Sequence, residues 1–256
     1  MSMKLRVAVA QLSAGPDPQE NLRVAQQAIR AAAGLADLVV LPEATFACFG
    51  TDLAAIAEPL DGPWATAIRK TAAEAGITAI VGTFEPSADG RVYNTLIATG
   101  GGVEAAYRKI HLYDAFGAKE SETVAPGESL ELIEVNGVTI GLATCFDLRF
   151  PEQFKDLARR GAQLIAVPAS WGAGPNKEDQ WDLLIRARAV DSTSWLVACD
   201  QSYVAPRGAH PLGVGRSAIV DPTGLAVHKL GATDGLLVAE LDIEAVGAVR
   251  RRVPVL

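Results

Sequence analysis

Cysteine and histidine are scarce: the chain of 256 residues has three of each. Cys48, Cys145 and Cys199 are an odd and widely spaced set. That excludes a disulfide framework and points to free thiols in a reducing compartment. His111, His210 and His228 stand far apart, with no His-x-x-x-His spacing and no cysteine pair. No metal centre is expected from such a set. Positive charge is in deficit, the formal net charge being −7. A nucleic-acid surface needs a basic face, so nucleic-acid binding is not expected. The one dense basic run, Arg250-Arg251-Arg252, reads as ordinary salt bridges at a subunit contact rather than as a polyanion site. Long apolar runs are missing too: nothing approaches the ~20 residues of a spanning helix, and no membrane partner is expected. Residues 1–12 lack the apolar core and small-residue cleavage site of a signal peptide. A cytoplasmic protein is the expectation.

Nucleotide motifs are equally thin. Gly213-Val214-Gly215-Arg216-Ser217-Ala218 has the spacing of a dinucleotide fingerprint, but it precedes a strand instead of opening a helix. Pro168-Ala169-Ser170-Trp171-Gly172 lacks the first glycine of a serine-hydrolase elbow. No phosphate-binding loop is present, and no cofactor is expected.

What the chain does have is apolar material, 49% hydrophobic against 21% charged residues, enough for a sizeable core. Short β-rich runs alternate with helical ones. Lys4–Gln11 reads as a strand and Asp17–Ala33 as a helix, with Asp17 as its cap and Pro18 at its first position. Ala36–Leu41 is the next strand, and Asp61-Gly62-Pro63 opens a helix to Ala75. Ile77–Phe84, Val92–Thr99 and Val103–Arg108 read as strands joined by turns at Ser87–Gly90 and Gly100–Gly102. Glu131–Val135 and Val138–Ala143 flank Asn136-Gly137, a strong hairpin signal. A helix at Glu152–Arg160, a strand at Gln163–Val167 and a helix at about Glu178–Val190 follow. Ser194–Cys199, Gly215–Val220 and Leu236–Asp242 close the strands. The halves resemble a loose duplication of β-α-β units. Without a low-complexity linker, residues 1–256 read as one domain. The expected class is α/β: a four-layer α-β-β-α sandwich of two mixed β-sheets flanked by helices.

The chemistry centres on Cys145. It follows the β-branched run Val138–Thr144 and precedes a helix, where backbone N–H groups and the helix dipole would favour thiolate. Two other runs end in Leu41-Pro42-Glu43 and in Tyr107-Arg108-Lys109, supplying a carboxylate and an ammonium. If the strands before Glu43, Cys145 and Trp171 are neighbours, those residues meet at one rim, where α/β sheets gather ligands. Cys48 and Cys199 sit in apolar surroundings and read as packing.

The segments Leu41-Pro42-Glu43-Ala44, Tyr107–Leu112, Cys145-Phe146-Asp147-Leu148-Arg149-Phe150-Pro151-Glu152, Trp181–Asp191, Asp221–Gly224 and Arg251–Pro254 resemble, in this order, the nitrilase superfamily of carbon–nitrogen hydrolases. The resemblance runs along nearly the whole chain and implies the sandwich fold, dimerised across one helical face. It implies a Glu–Lys–Cys triad at Glu43, Lys109 and Cys145, with a further glutamate at Glu120. Cys145 would be the nucleophile and Glu43 its general base. Lys109 would stabilise the oxyanion together with the Phe146 N–H. The Cys-x-Asp-x-Arg-Phe-Pro-Glu signature resembles the amidase branch, near ω-amidases and deaminated glutathione amidases, more than true nitrilases. Arg149 suits a substrate carboxylate, its alternative being to brace Asp147 or Glu152. Ser170 and Trp171 are expected to line the pocket, and His111 to order the Lys109 loop. Specificity is expected to rest on Asp114–Glu122 and Tyr203–Leu212. The implied partner is a small carboxylated amide. Within the superfamily, N-carbamoyl hydrolysis and nitrile hydrolysis are the alternatives; outside it, a non-catalytic binding scaffold.

Overall fold

The computed structural model describes residues 3–205 and 213–256. Its first strand, β1 (Lys4–Gln11), shows how the sandwich is built. Leu5, Val7 and Val9 face one apolar cluster while Ala8 and Ala10 face another, the period of two that a strand buried on both faces requires. Helix α1 (Pro18–Ala32) follows, capped by Asp17, whose side chain accepts the Gln19 N–H. It buries Asn21, Ala25, Ile29 and Ala32 along one stripe. Then come β2 (Leu38–Val40), the short α2 (Leu53–Ile56), α3 (Pro63–Ala75), β3 (Thr78–Pro86), β4 (Val92–Gly100), β5 (Val103–Arg108) and β6 (Val124–Ala125).

The second half holds β7 (Leu132–Val135), β8 (Val138–Leu142), α4 (Pro151–Arg159), β9 (Leu164–Ala169), α5 (Lys177–Ser192), β10 (Trp195–Asp200) and β11 (Ala218–Val220). The chain closes with β12 (Ala226–Lys229), β13 (Gly235–Asp242) and α6 (Glu244–Arg252). One sheet has the order β13-β1-β2-β3-β4-β5, with β6 beside β4; the other runs β12-β11-β10-β9-β8-β7. In each, three parallel strands (β1-β2-β3 or β8-β9-β10) are followed by two antiparallel ones. Each set is edged by an antiparallel strand, β13 or β7. The duplication suspected in the sequence is thus a repeated topology.

The two sheets meet face to face over Leu5, Val7, Leu38, Ile80, Ile140, Leu164 and Val197. Helices α1 and α3 cover the first sheet with Ile29, Trp64 and Ile68. Helices α4 and α5 cover the second with Phe154, Leu157, Trp181 and Ile185. This is the expected α-β-β-α order. Most element bounds agree within a few residues, and Asn136 (φ 50°) and Gly137 (φ 79°) turn the β7–β8 hairpin as expected.

One expectation is corrected, and another finds no support within the single chain. The basic run lies in the last turn of α6, and none of its three arginines forms an ion pair among the described residues. Arg250 instead donates to the Ala162 carbonyl (2.6 Å) and Ser194 Oγ (3.0 Å), neutral acceptors in the turns before β9 and β10. The strands before Glu43 and Cys145, β2 and β8, belong to different sheets, so they are not neighbours. His210 and most of the expected specificity segment Tyr203–Leu212 lie outside the described residues. No helix of the described residues is long and apolar enough to cross a membrane.

Candidate active site

Because β2 and β8 lie in facing sheets, Glu43 and Cys145 approach each other across the sandwich, not along one rim. Glu43 leaves the end of β2 in a tight bend, with Ala44 in the left-handed region (φ 56°). The bend lies directly on Gly82 of β3. A Cβ there would come within 2.6 Å of the Ala44 nitrogen and 2.7 Å of the Pro42 carbonyl oxygen. Only glycine leaves that space. The buried Gln201 side chain, next after β10, donates to the Glu43 carbonyl (2.9 Å) and so ties the bend to the other sheet.

Glu43 is fully buried. Its Oε1 accepts from Lys109 Nζ (2.9 Å) and Asn94 Nδ2 (2.7 Å), and its Oε2 from the Ser170 N–H (2.8 Å). Lys109, one residue past β5 and 2% exposed, also donates to Glu120 Oε1 (3.1 Å) and Oε2 (2.9 Å). Burial by itself would lower Lys109, but the charges of Glu120 and Glu43 outweigh it and hold the ammonium well above its ordinary range. Glu120 opens a 3₁₀ turn (Glu120–Glu122), and its Oε2 also accepts the Tyr113 N–H (2.5 Å). Two carboxylates therefore share one ammonium.

Cys145 begins a second 3₁₀ turn (Cys145–Arg149), with φ 45°, and is 7% exposed. Its thiol lies close enough to Glu43 and Lys109 to feel both charges. Here the sequence expectation fails: burial, then the Glu43 carboxylate, push the thiol well above its ordinary range, and Lys109 and the Ser170 N–H do not reverse this. The 3₁₀ turn separates the thiol from α4, so desolvation outweighs the helix terminus. The resting group is a thiol beside a carboxylate able to take its proton.

Asp147 holds this turn against the Lys109 segment. Its Oδ2 accepts from Tyr107 OH (2.6 Å) and the Thr144 N–H (2.8 Å). Its Oδ1 accepts the His111 N–H (3.1 Å) and meets His111 Nδ1 at 2.8 Å. His111 also stacks on Phe150 at 3.6 Å, so it orders the loop as expected. Asp147→Ala would strip several buried donors of their acceptor. The expected loss is about 3–5 kcal/mol; urea unfolding with a midpoint unchanged from the parent protein would contradict it.

The remaining expected residues follow the ends of β8 and β9. Trp171, just past β9, is held by Asp200 Oδ1 on its N–H (2.7 Å) and donates from Nε1 to the Lys177 carbonyl (2.9 Å). Ser170 lies between it and β9 and places its N–H on Glu43. Phe146 meets Tyr113 (5.1 Å) and Phe150 (5.7 Å) edge-on. Arg149 braces neither Asp147 nor Glu152. It donates to Gln180 Oε1 (2.6 Å) and faces Trp171 (5.3 Å), while its buried Nε has no hydrogen-bond partner among the described residues. Cys199 donates toward the Ala10 carbonyl in the core, and Cys48 lies 3.7 Å from Thr51 Oγ1. Asn94 was missed. Its Nδ2 also reaches Glu120 Oε1 (3.2 Å), so it bridges both carboxylates. An asparagine inside the apolar run Val92–Thr99, a residue depleted in strands, was the available signal.

With this geometry in view, comparison with known proteins is informative. The family model for carbon–nitrogen hydrolases matches residues 6–251. A Mycobacterium tuberculosis protein named only as a hydrolase, Rv0480c, is 51% identical, with 98% of this chain and 94% of that one covered. The deaminated glutathione amidase of Escherichia coli O157:H7 is 38% identical, covering 86% of this chain and 83% of its own. Among solved structures, Saccharomyces cerevisiae Nit3, a member of branch 10 of the nitrilase superfamily, superposes with a TM-score of 0.86. It is 30% identical, with 99% of this chain and 96% of that chain covered.

Proposed function

The chain belongs to the carbon–nitrogen hydrolase family and acts on amides, and from that premise we propose that it hydrolyses small carboxylated amides through a thioester on Cys145. The observation that carries this reading is the buried contact set of Cys145, Glu43 and Lys109. An amide needs a strong nucleophile and a proton for its leaving amine, and the set supplies both. As the sulfur attacks the carbonyl carbon, the thiol proton passes to Glu43, so thiolate forms only in the presence of substrate. The Lys109 ammonium, held charged by two carboxylates, and the Phe146 N–H stabilise the tetrahedral oxyanion. Glu43 then returns the proton to the departing nitrogen; ammonia leaves and the thioester remains. Glu43 next takes a proton from water, which attacks the thioester, and the product acid departs as the thiol is restored. Glu120 keeps Lys109 oriented without entering the proton path.

Arg149 supports the carboxylated substrate class. Its half-buried guanidinium has one neutral partner and an orphaned Nε, which a carboxylate would satisfy through a two-point contact. Arg149→Lys should raise KM for succinamate by about tenfold or more relative to neutral butyramide, since lysine cannot make that fork. An unchanged preference would remove Arg149 from the substrate site. The whole reading is tested by hydrolysis across 2-oxoglutaramate, deaminated glutathione, N-carbamoyl-β-alanine and an aromatic nitrile. Turnover confined to the last two would refute it. A cytoplasmic homodimer completes the proposal; Leu183 and Val190 of α5 are exposed about two turns apart, an apolar helical face suited to a second copy.

A further inference from the structure

The buried Lys109 ammonium is balanced by carboxylates, but two cations beside Trp171 have no acid partner among the described residues. Arg149 and Lys177, the first residue of α5, face the same two rings. The Arg149 guanidinium carbon lies 5.9 Å from the Phe116 centroid and 5.3 Å from that of Trp171. Lys177 Nζ lies 4.2 Å and 5.5 Å from the same centroids and donates to Tyr113 OH at 3.1 Å. Neither cation has an ion pair among the described residues. The undescribed residues 206–212 include Arg207 and His210 but no carboxylate, so they could not supply one. Nearby acids are engaged elsewhere: Asp114 accepts from Ser121, and Glu178 pairs with Arg216.

The aromatic contacts favour each cation but neutralise neither: both share one platform, and Lys177 sits in the first turn of α5, the end where the helix dipole disfavours a cation. Phe116, which faces both cations, is 73% exposed and holds φ 54°, a conformation bulky side chains seldom adopt. These costs are offset when anionic groups enter between the rings.

We infer that Lys177 is a specificity-determining residue and that the preferred amides carry two acidic groups. One group binds Arg149, whose Nε is buried, and the other binds Lys177. This inference rests on the amidase reading given above. It is tested with two amides of similar reach, succinamate with one carboxylate and tricarballylate monoamide with two. Parent enzyme should favour the second in kcat/KM by about tenfold. Lys177→Met should erase that ratio through KM, and Lys177→Arg should retain it. A ratio near one in the parent enzyme, or one unchanged in Lys177→Met, overturns the role of Lys177. Failure of the parent enzyme to hydrolyse either compound, or butyramide, would instead overturn the amidase reading and this inference with it.

Discussion

Exchange of Cys145 for alanine should abolish amide hydrolysis and leave the fold intact. The proposed mechanism routes both half-reactions through one sulfur. The expected fall in kcat is on the order of 10⁴-fold or greater, as for other nucleophiles that act as a unit with their base. The thermodynamic effect is small by comparison, about 1 kcal/mol, because one buried sulfur is lost while the Asp147 contacts that hold the turn are untouched. Ammonia release and urea unfolding measured on the same preparation separate the two. Substantial turnover by Cys145→Ala would mean that the sulfur is not the attacking atom.

Glu43→Gln should be nearly as severe in turnover and different in character. Removing the carboxylate whose charge bears most strongly on the thiol deletes the proposed proton acceptor, at a cost of roughly 10²–10⁴ in kcat. The glutamine is isosteric and neutral, so the Lys109–Glu120 pair survives. With one source of upward pressure on the thiol gone and Lys109 still beside it, a haloacetamide should still alkylate position 145. Peptide mass spectrometry after alkylation, set against ammonia release, gives the readout. Joint loss of labelling and turnover would reduce Glu43 to a structural support of the niche; undiminished turnover would remove it from the chemistry altogether.

Several parts of this picture were legible along the chain because they depend on near neighbours. Strand and helix alternation follows local periodicity, so β1 was read residue for residue and α1 to within its caps. Shorter or more exposed elements were not. β12 runs Ala226-Val227-His228-Lys229 with little burial, and α2 spans four residues, so neither carries a period long enough to read. Arg250 shows another limit: its partners are backbone and hydroxyl oxygens, which composition does not reveal.

By itself the sequence determined which chemistry is available: an acid, an amine and a sulfur, each at the end of a β-rich run and in the order of a known hydrolase family. Tertiary structure alone decided how that chemistry is poised. It set Glu43 and Cys145 after strands of opposite sheets, made Asn94 and Asp147 the connectors, and gave Arg149 and Lys177 neutral partners and no counter-ion among the described residues. It also reversed the expected state of the thiol. Desolvation and Coulomb energies depend on atoms brought together from distant stretches of chain, and no local window of residues contains that information.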